Sequence, residues 1–357
     1  MLKPYLNRIV EDRATLTREE ARLLLEQILA GELSDLQIAA LLAALATRGE
    51  TPAEIAGFVD AMRAAATAVP LDDAERSQLV DTCGTGADLS GTFNISTAAA
   101  LVAAAAGATA GAKLMVAKHG NRAVTSQSGS ADVLEALSIP IGLTPAQGAA
   151  ALRTHRFAFL HAPSLHPAMK AVMPVRRALG IRTIFHLVGP LSNPAGARAQ
   201  VMGVYAPHLV PIAAEAMRLL GTRHAFVVHG ATSPHSLSGL DELSISGPSQ
   251  LAEVRGDRIT LLEITPEQVG LRTAPIETLL GGNAATNAQI LRAIFSGEPS
   301  PRRDIVLLNA AAVLITAGAV PPSADTLAAL RAGIALAAAT IDSGAVTALV
   351  AALAADR

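Results

Sequence analysis

Asp81-Thr-Cys-Gly-Thr-Gly-Ala-Asp88, continued by Thr92-Phe-Asn-Ile-Ser-Thr97, decides how this chain is read. Leu79 and Val80 ahead of it read as the end of a short buried strand, and the alanine-rich run from Ala98 to Ala106 behind it reads as a helix. A turn carrying Gly84 and Gly86 therefore joins a strand to a helix N-terminus. Backbone N–H groups without partners and the positive end of the helix dipole make such a junction an anion site. Asn94, Ser96 and Thr97 stand where the helix should begin. Their side-chain oxygens can cap it, or reach a phosphate or a metal that a phosphate holds. The loop fits neither of two familiar phosphate patterns. Leu89 takes the third glycine position of Gly-x-Gly-x-x-Gly, and no Gly-Lys-Ser/Thr follows.

The same rhythm repeats downstream. Residues 113–117, 157–160 and 224–228 are predicted strands, with helices predicted over 130–137, 144–154 and 210–220. Alternating strands and helices imply an α/β fold, a mainly parallel sheet with helices on both faces. Ligands of such sheets bind outside the carboxyl ends of the strands. The polar loops fall at that edge: Lys118-His-Gly-Asn-Arg122, His161-Ala-Pro-Ser-Leu-His-Pro167, and a long loop ending in Gly239-Leu-Asp-Glu242. Ala168 to Arg182 reads as a helix and Gly189-Pro-Leu-Ser-Asn-Pro194 as a rigid turn. A hairpin is expected through Gly256-Asp257, and mostly helix from Asn283 to the end.

Upstream, residues 1 to about 68 read as all helical. Capping boxes stand at Thr17-x-x-Glu20, Ser34-x-x-Gln37 and Thr51-x-x-Glu54, each followed by apolar residues at helical spacing. The expected architecture is a small all-helical N-terminal domain, residues 1–70 joined by helices from about 168–190, plus a larger α/β domain over 77–165 and 195–357. The length of 357 residues fits two domains at about 150 residues each.

Net charge is -2, from 28 basic and 30 acidic residues, so no overall charge attracts nucleic acid or membrane. The single cysteine, Cys83, excludes an intramolecular disulfide, fits a reducing compartment, and is expected to be a small buried apolar residue. Met1-Leu-Lys-Pro-Tyr-Leu lacks a basic-then-apolar signal design. The apolar run Ile305 to Val320 is shorter than the roughly 20 residues that span a bilayer and reads as a buried core helix. A soluble, cytoplasmic protein is expected.

Chemistry concentrates in the loops. Lys118 is one of only four lysines against 24 arginines, and its ammonium can reach a phosphate as a point charge. Ser126, Ser128, Gly129 and Ser130 open the next helix as a second candidate anion site. His119 is either a general base or, on the favoured reading, orients its loop through a hydrogen bond to the backbone. Asp241 and Glu242 form a tandem carboxylate pair suited to Mg²⁺, which bridges substrate phosphates to one or two carboxylates. An arginine fork can grip a carboxylate, but chemistry alone leaves Arg176, Arg177 and Arg182 open.

Together these residues resemble the anthranilate phosphoribosyltransferase family. Its pattern reads Asp-x-x-Gly-Thr-Gly-Gly-Asp with Asn-x-Ser-Thr, then Lys-His-Gly-Asn-Arg, His-Pro-Ala-Met-Lys with Val-Arg, Gly-Pro-Leu-x-Asn-Pro, and Asp-Glu. All stand here in order from Asp81 to Glu242, with one change at Ala87, and agreement continues through Ser128-Gly-Ser-Ala-Asp132, Arg182-Thr-Ile-Phe185 and Pro301-Arg-Arg-Asp304. The resemblance implies a homodimer, assembled through the helical domain, that joins 5-phosphoribosyl diphosphate (PRPP) to the amino group of anthranilate with Mg²⁺. It implies that Gly84, Thr85, Gly86, Ala87, Asp88, Thr92, Asn94, Ser96 and Thr97 hold the diphosphate end. Lys118, His119, Gly120, Asn121 and Ser130 would serve the sugar phosphate and diphosphate, and Ser96, Asp241 and Glu242 the Mg²⁺. Gly84, Asn121, His166, Arg176, Gly189 and Pro190 would line the anthranilate path. Lys118 would stabilise the leaving group, and Arg176 would meet the carboxylate.

Ala87 replaces a family glycine, His186 an asparagine and Ser138 a glycine, and residues 231–238 lengthen the loop before the acidic pair. Two rivals share the fold. A pyrimidine nucleoside phosphorylase would continue Lys-His with Ser-Gly-Arg, where this chain has Gly-Asn-Arg. A non-catalytic nucleic-acid-binding relative would need a basic stripe and lost site residues.

Overall fold

Eight strands form one sheet in the computed structural model, which describes residues 2–109, 113–123, 127–233 and 239–356. They are β1 (Leu79–Thr82), β2 (Met115–Gly120), β3 (Phe157–His161), β4 (Ala199–Gly203), β5 (His224–Ala231), β6 (Gly239–Leu240), β7 (Ser249–Arg255) and β8 (Arg258–Ile264). Their order is β3-β2-β1-β4-β5-β7-β8, with β6 beside β5. β1 to β5 run parallel, with Val80 flanked by Val116 and Ala199, while β6 and β7 pair antiparallel with β5 and β8 pairs antiparallel with β7. From β1 the chain steps outward to β2 and β3, then returns past β1 to β4. The carboxyl ends of β1 and β4 are therefore the topological switch point, where open α/β sheets bind ligands.

The sequence reading has no strand at 199–203. Ala-Gln-Val-Met-Gly is short and does not alternate, because β4 is buried along its whole length between two covered faces. β2 starts later than expected and runs to Gly120, so Lys118, His119 and Gly120 end a strand rather than open a loop. The helix expected over Ala168 to Arg182 is broken into a 3-10 turn, Pro167–Ala171, and the helix Met173–Leu179, which Gly180 ends at φ 60°. Gly189 and Pro190, expected in a rigid turn, lie in the last turn of the helix Phe185–Leu191. The hairpin through Gly256-Asp257 forms as read, pairing β7 with β8.

Each face of the sheet has its own core. On one, the alanine-rich helix Ile95–Thr109 packs with Pro301–Thr316, whose residues from Ile305 to Thr316 are all buried, as expected for a core helix. On the other, Met202, Val204, Val227 and Ala252 join a cluster that contains Leu24, Ile28, Leu41, Leu45 and Phe58 from the N-terminal helices. Those helices, Arg18–Leu29, Asp35–Arg48 and Pro52–Ala64, begin at the predicted capping boxes, with each N-cap side chain accepting from the third residue of its helix. The same cluster takes in Val175, Ile184, Phe185, Val188 and Leu191, and Phe58 meets Phe185 edge to face at 5.9 Å. The wall formed by residues 173–191 thus packs with the helical bundle while facing the sheet edge.

Among the described residues no single helix is long and apolar enough to cross a membrane. The pair Thr326–Asp342 and Ala345–Ala355 is bent by 62° and packs Leu330, Ala337, Ile341 and Val346 into the core.

Candidate active site

The loop after β1 is tied down from below. Cys83 N–H donates to Val201 O (3.2 Å) and Thr85 N–H to Gly203 O (2.9 Å), so the loop extends the β1–β4 pairing. Gly86 N–H donates to Asp241 Oδ2 at 2.7 Å. Gly84 has to be glycine here, because a Cβ would stand 2.2 Å from that same carboxylate oxygen. Asp88 accepts from Ser90 Oγ (2.9 Å) and from the Asp241 N–H (3.3 Å). Gly86, Ala87, Leu89 and Gly91 all lie at φ between 59 and 70°. For Ala87 that conformation costs about 1 kcal/mol relative to glycine. Ala87→Gly should therefore raise stability by roughly 0.5 kcal/mol after the entropy of the unfolded chain is counted, read as a higher urea midpoint. A lower midpoint would show that the Ala87 methyl group packs productively.

Beneath the loop sits a buried polar layer. Lys118, 1% exposed, donates from Nζ to Thr82 O (2.6 Å) and Ser96 Oγ (3.3 Å). Asp81 accepts from the His119 N–H (3.1 Å) and from Asn193 Nδ2 (2.8 Å), which also donates to Ala117 O. Burial pushes the Asp81 carboxyl up to about 6, although Asn193 and Lys118 pull it down. His119 and His166 are both buried, with ring centroids 5.1 Å apart, and no nitrogen of either ring has a well-formed hydrogen bond. Burial, then the neighbouring His166, lowers His119 to about 3, and the Gly189 backbone beside it offsets only part of this. A neutral, weakly basic ring of that kind does not fit the general-base reading, and the Gly189 backbone is the group beside it that a loop-orienting bond would use. Cys83 is half-buried, and burial followed by Asp81 holds its thiol well up, so it is no nucleophile.

The acidic pair arrives from β6. Glu242 Oε1 accepts the Ser96 N–H at 3.1 Å, so the pair touches both the loop and the helix start. Gly203 permits this approach, since a Cβ there would stand 1.5 Å from the Asp241 carbonyl. Burial, then Asp88 and Glu242, raises Asp241 well above the usual carboxylate range, and burial pushes Glu242 up to about 7. Such a cluster of hard oxygens suits a hard cation. Among the described residues no three acidic, histidine or cysteine side chains enclose a metal by themselves. Mg²⁺ takes one or two carboxylates and completes its shell with waters and substrate phosphates. The donor set of Ser96, Asp241 and Glu242 fits it.

The remaining candidates divide. Thr97 Oγ1 is buried without a partner. Asn94 is engaged: Nδ2 donates to Ser128 O (3.0 Å) and Oδ1 accepts from Asn287 Nδ2 (2.9 Å), so it joins three segments. Thr92 bridges to Leu280. In the second anion loop, Ser126 and residues 124–126 as a whole lie outside the described residues, as do 234–238 of the longer loop. Arg122, read as a loop cation, is instead paired with Asp132 (2.9 Å) and Glu135 (2.6 Å). Asp132 also accepts from Ala123 and Gly129 N–H groups, placing Ser130 at the start of the helix Ser130–Ala136. Asn121 is exposed beside it.

The helical wall separates the three arginines. Arg176 is half-buried over the Phe185 ring at 5.4 Å and makes no ion pair among the described residues. Burial alone lowers its pKa. Arg177 is exposed, and Arg182 reaches the glycine loop itself. Gly189 leaves open space where a Cβ would stand, and the Pro190 carbonyl accepts from Gln200 at 2.8 Å. His186 lies edge-on to Tyr205 at 6.4 Å, and Tyr205 N–H donates to Thr85 Oγ1 at 3.0 Å. Asn193 and Tyr205 have no role in the sequence reading, and Arg182 enters it only as one of three arginines open for a carboxylate. Asn193 and Arg182 stand inside motifs of the family pattern, whereas Tyr205 follows β4, which has no periodic signal.

A cavity of about 390 Å³ lies at the opposite edge of the sheet, lined by Arg198, Arg218 and Arg223. Arg198 and Arg223 spend donors on the Gly221 and Ser77 carbonyls, and Arg218 pairs with Glu215. These cations complement helix C-termini.

The glycosyl transferase family's a/b domain matches residues 76–347, and its helical bundle domain matches residues 3–66. An anthranilate phosphoribosyltransferase of Symbiobacterium thermophilum is 47% identical over 96% of this chain and 94% of its own length. That of Roseiflexus castenholzii is 50% identical over 92% of this chain and 91% of its own length. The crystal structure of the Thermus thermophilus enzyme of that name superposes with a TM-score of 0.86 at 41% identity, covering 98% of each chain. The Saccharomyces cerevisiae enzyme, solved with PRPP and Mg, gives 0.85 at 25% identity over 100% of this chain and 98% of its own.

Proposed function

The chain belongs to the anthranilate phosphoribosyltransferase family of glycosyl transferases, and on that premise we propose how its residues divide the work. It transfers the phosphoribosyl group of PRPP to the amino group of anthranilate, releasing pyrophosphate, with Mg²⁺ as cofactor. The observation that carries the assignment is the meeting of glycine loop, Lys118 and acidic pair at the switch point between β1 and β4.

On this reading the N–H groups of Gly84 to Asp88, with Thr92, Asn94, Ser96 and Thr97, take the diphosphate, as the start of the helix Ile95–Thr109 favours. Asn94 acts through the segments it joins. Lys118, Gly120, Asn121 and Ser130 serve the sugar phosphate and diphosphate, with His119 shaping the floor. Asp241, Glu242 and Ser96 would hold Mg²⁺, which when bound would supply charge neutralisation for the departing pyrophosphate. The ribose C1 passes through a cation-like state, and the amine attacks from the opposite face. An aromatic amine already carries a free lone pair, so no general base is required, which suits the neutral His119 and His166. Lys118 adds fixed positive charge where the leaving group develops its own.

Arg176 has a guanidinium fork without an ion pair among the described residues, beside an apolar ring and the Met173 sulfur, and meets the anthranilate carboxylate on a path lined by Gly84, Asn121, His166, Gly189 and Pro190. Arg176→Ala should raise the KM for anthranilate by about 10- to 100-fold, the worth of a charge-assisted pair, while kcat moves far less. The carboxylate does not react, so its contact is equal in ground and transition states. An unchanged KM for anthranilate would remove Arg176 from the acceptor site.

The helical unit, residues 1–70 with about 168–190, closes on the α/β unit of 77–165 and 195–357 to exclude water from the sugar donor. The dimer surface lies on the helical bundle, where Leu36 is 83% and Val10 65% exposed. The enzyme resides in the cytoplasm, where its free Cys83 stays reduced.

A further inference from the structure

Arg182 sits between Gly180 and the helix Phe185–Leu191, in a stretch whose Ile184 and Phe185 share a core with Phe58 of the helical bundle. Its guanidinium leaves that bundle. Nη2 donates to the carbonyl of Ala87 in the glycine loop, and the carbon at its centre lies 4.3 Å from the Tyr205 ring centroid. Tyr205 is itself fastened to the loop through Thr85 Oγ1 (3.0 Å), and Thr85 N–H is fastened to Gly203 O (2.9 Å). Thr85, Tyr205, Arg182 and Ala87 therefore close a ring of contacts around the left-handed pair Gly86 and Ala87. Arg182 makes no ion pair among the described residues, so this contact is not a by-product of a salt bridge.

A peptide group is planar, and in the trans form its C=O and N–H point opposite ways. Anchoring the Ala87 carbonyl on Arg182 consequently fixes the direction of the Asp88 N–H. Stacking on Tyr205 limits the freedom of the guanidinium and makes the anchor rigid. Left-handed alanine persists only where its surroundings over-determine it. Asp241 supplies that constraint on the sheet side through Gly86, and Arg182 supplies it from the helical side. We propose that Arg182, braced by Tyr205, is a positioning residue for the sugar-donor loop, aligning its N–H groups for the diphosphate without touching the reacting atoms. The proposal rests on the reading of this loop as the PRPP site. Because the anchor and the loop belong to different halves of the molecule, the loop is fully set only when the two halves meet.

The test is steady-state kinetics of the full chain with both substrates varied, on Arg182→Ala, Arg182→Lys, Tyr205→Leu and Tyr205→Phe. Arg182→Ala should raise the KM for PRPP about tenfold, the worth of one good hydrogen bond, with kcat and the KM for anthranilate within about twofold. Tyr205→Leu should give part of that shift and Tyr205→Phe none. Arg182→Lys should not restore affinity, because an ammonium lacks the planar fork and stacks poorly. A wild-type KM for PRPP in Arg182→Ala overturns the proposal, as does full rescue by lysine, which would make Arg182 a plain source of positive charge. If Arg182→Ala does not fold, Tyr205→Leu decides by the same readout. A wild-type chain that consumes no anthranilate would overturn the transferase reading and this proposal with it. An active wild type with unmoved variants overturns this proposal alone.

Discussion

Asp241→Asn is expected to lower kcat/KM for PRPP by about 10²- to 10³-fold, the usual loss when one preorganised electrostatic partner is removed. It should do so without loss of stability. Asp241 is pressed by burial and by its neighbours Asp88 and Glu242, so its carboxyl holds a proton more tightly in the folded chain than in the unfolded one. A raised carboxylate pKa means that the folded state bears a penalty at any pH above the unfolded value, and that the penalty vanishes in acid, where both states are protonated. Asparagine keeps an oxygen for the Gly86 N–H while removing the charge. The variant should therefore melt at the same temperature as the wild type or higher near pH 7, with any advantage fading toward pH 4. The same electrostatics governs the metal. Glu242 sits at about 7, so Mg²⁺ must displace protons below that pH, and the Mg²⁺ concentration for half-maximal rate should rise as pH falls through 7, by up to about tenfold per unit for one proton. A Mg²⁺ requirement that stays flat from pH 8 to 6 would contradict the acidic-pair assignment.

Lys118→Met should match that loss of activity but differ in stability. Activity should fall by a similar factor, on the order of 10²- to 10³-fold, if Lys118 is the fixed cation proposed to face the departing diphosphate. Stability should fall as well. Lys118 is the cation that pulls down both Asp81 and Glu242, and its Nζ joins Thr82 O to Ser96 Oγ. Without it, buried carboxylates lose their compensation, a change that costs roughly 3 kcal/mol when a buried pair is broken. Urea unfolding at pH 7 reads this directly. A stable Lys118→Met protein would show that the ammonium contributes to the reaction alone.

Much of this was legible in the sequence because local chemistry and tertiary context agree. The capping boxes at Thr17, Ser34 and Thr51 form as the sequence predicts, since a capping box satisfies backbone donors whatever surrounds it. The loop from Gly84 to Asp88 and the pair Asp241-Glu242 were found from residue type and placement after strands. Other features were hidden for physical reasons. β4 gave no periodic signal because both of its faces are covered. Lys118 looked like a loop residue because a buried lysine in a strand is rare, and here Thr82, Ser96 and nearby acids make it possible. Arg122 and Arg182 are indistinguishable by type. Only three-dimensional packing shows that one is neutralised by Asp132 and Glu135 while the other crosses to Ala87.

The most direct measurement is anthranilate fluorescence over time with purified chain, PRPP and Mg²⁺, repeated without each component and with Asp241→Asn. The account predicts a loss of signal in the complete mixture, none when PRPP or Mg²⁺ is left out, and a rate lowered by at least about 10²-fold in the variant. Steady fluorescence in the complete mixture, from a protein that is folded by circular dichroism, would contradict it. So would an Asp241→Asn rate equal to that of the wild type.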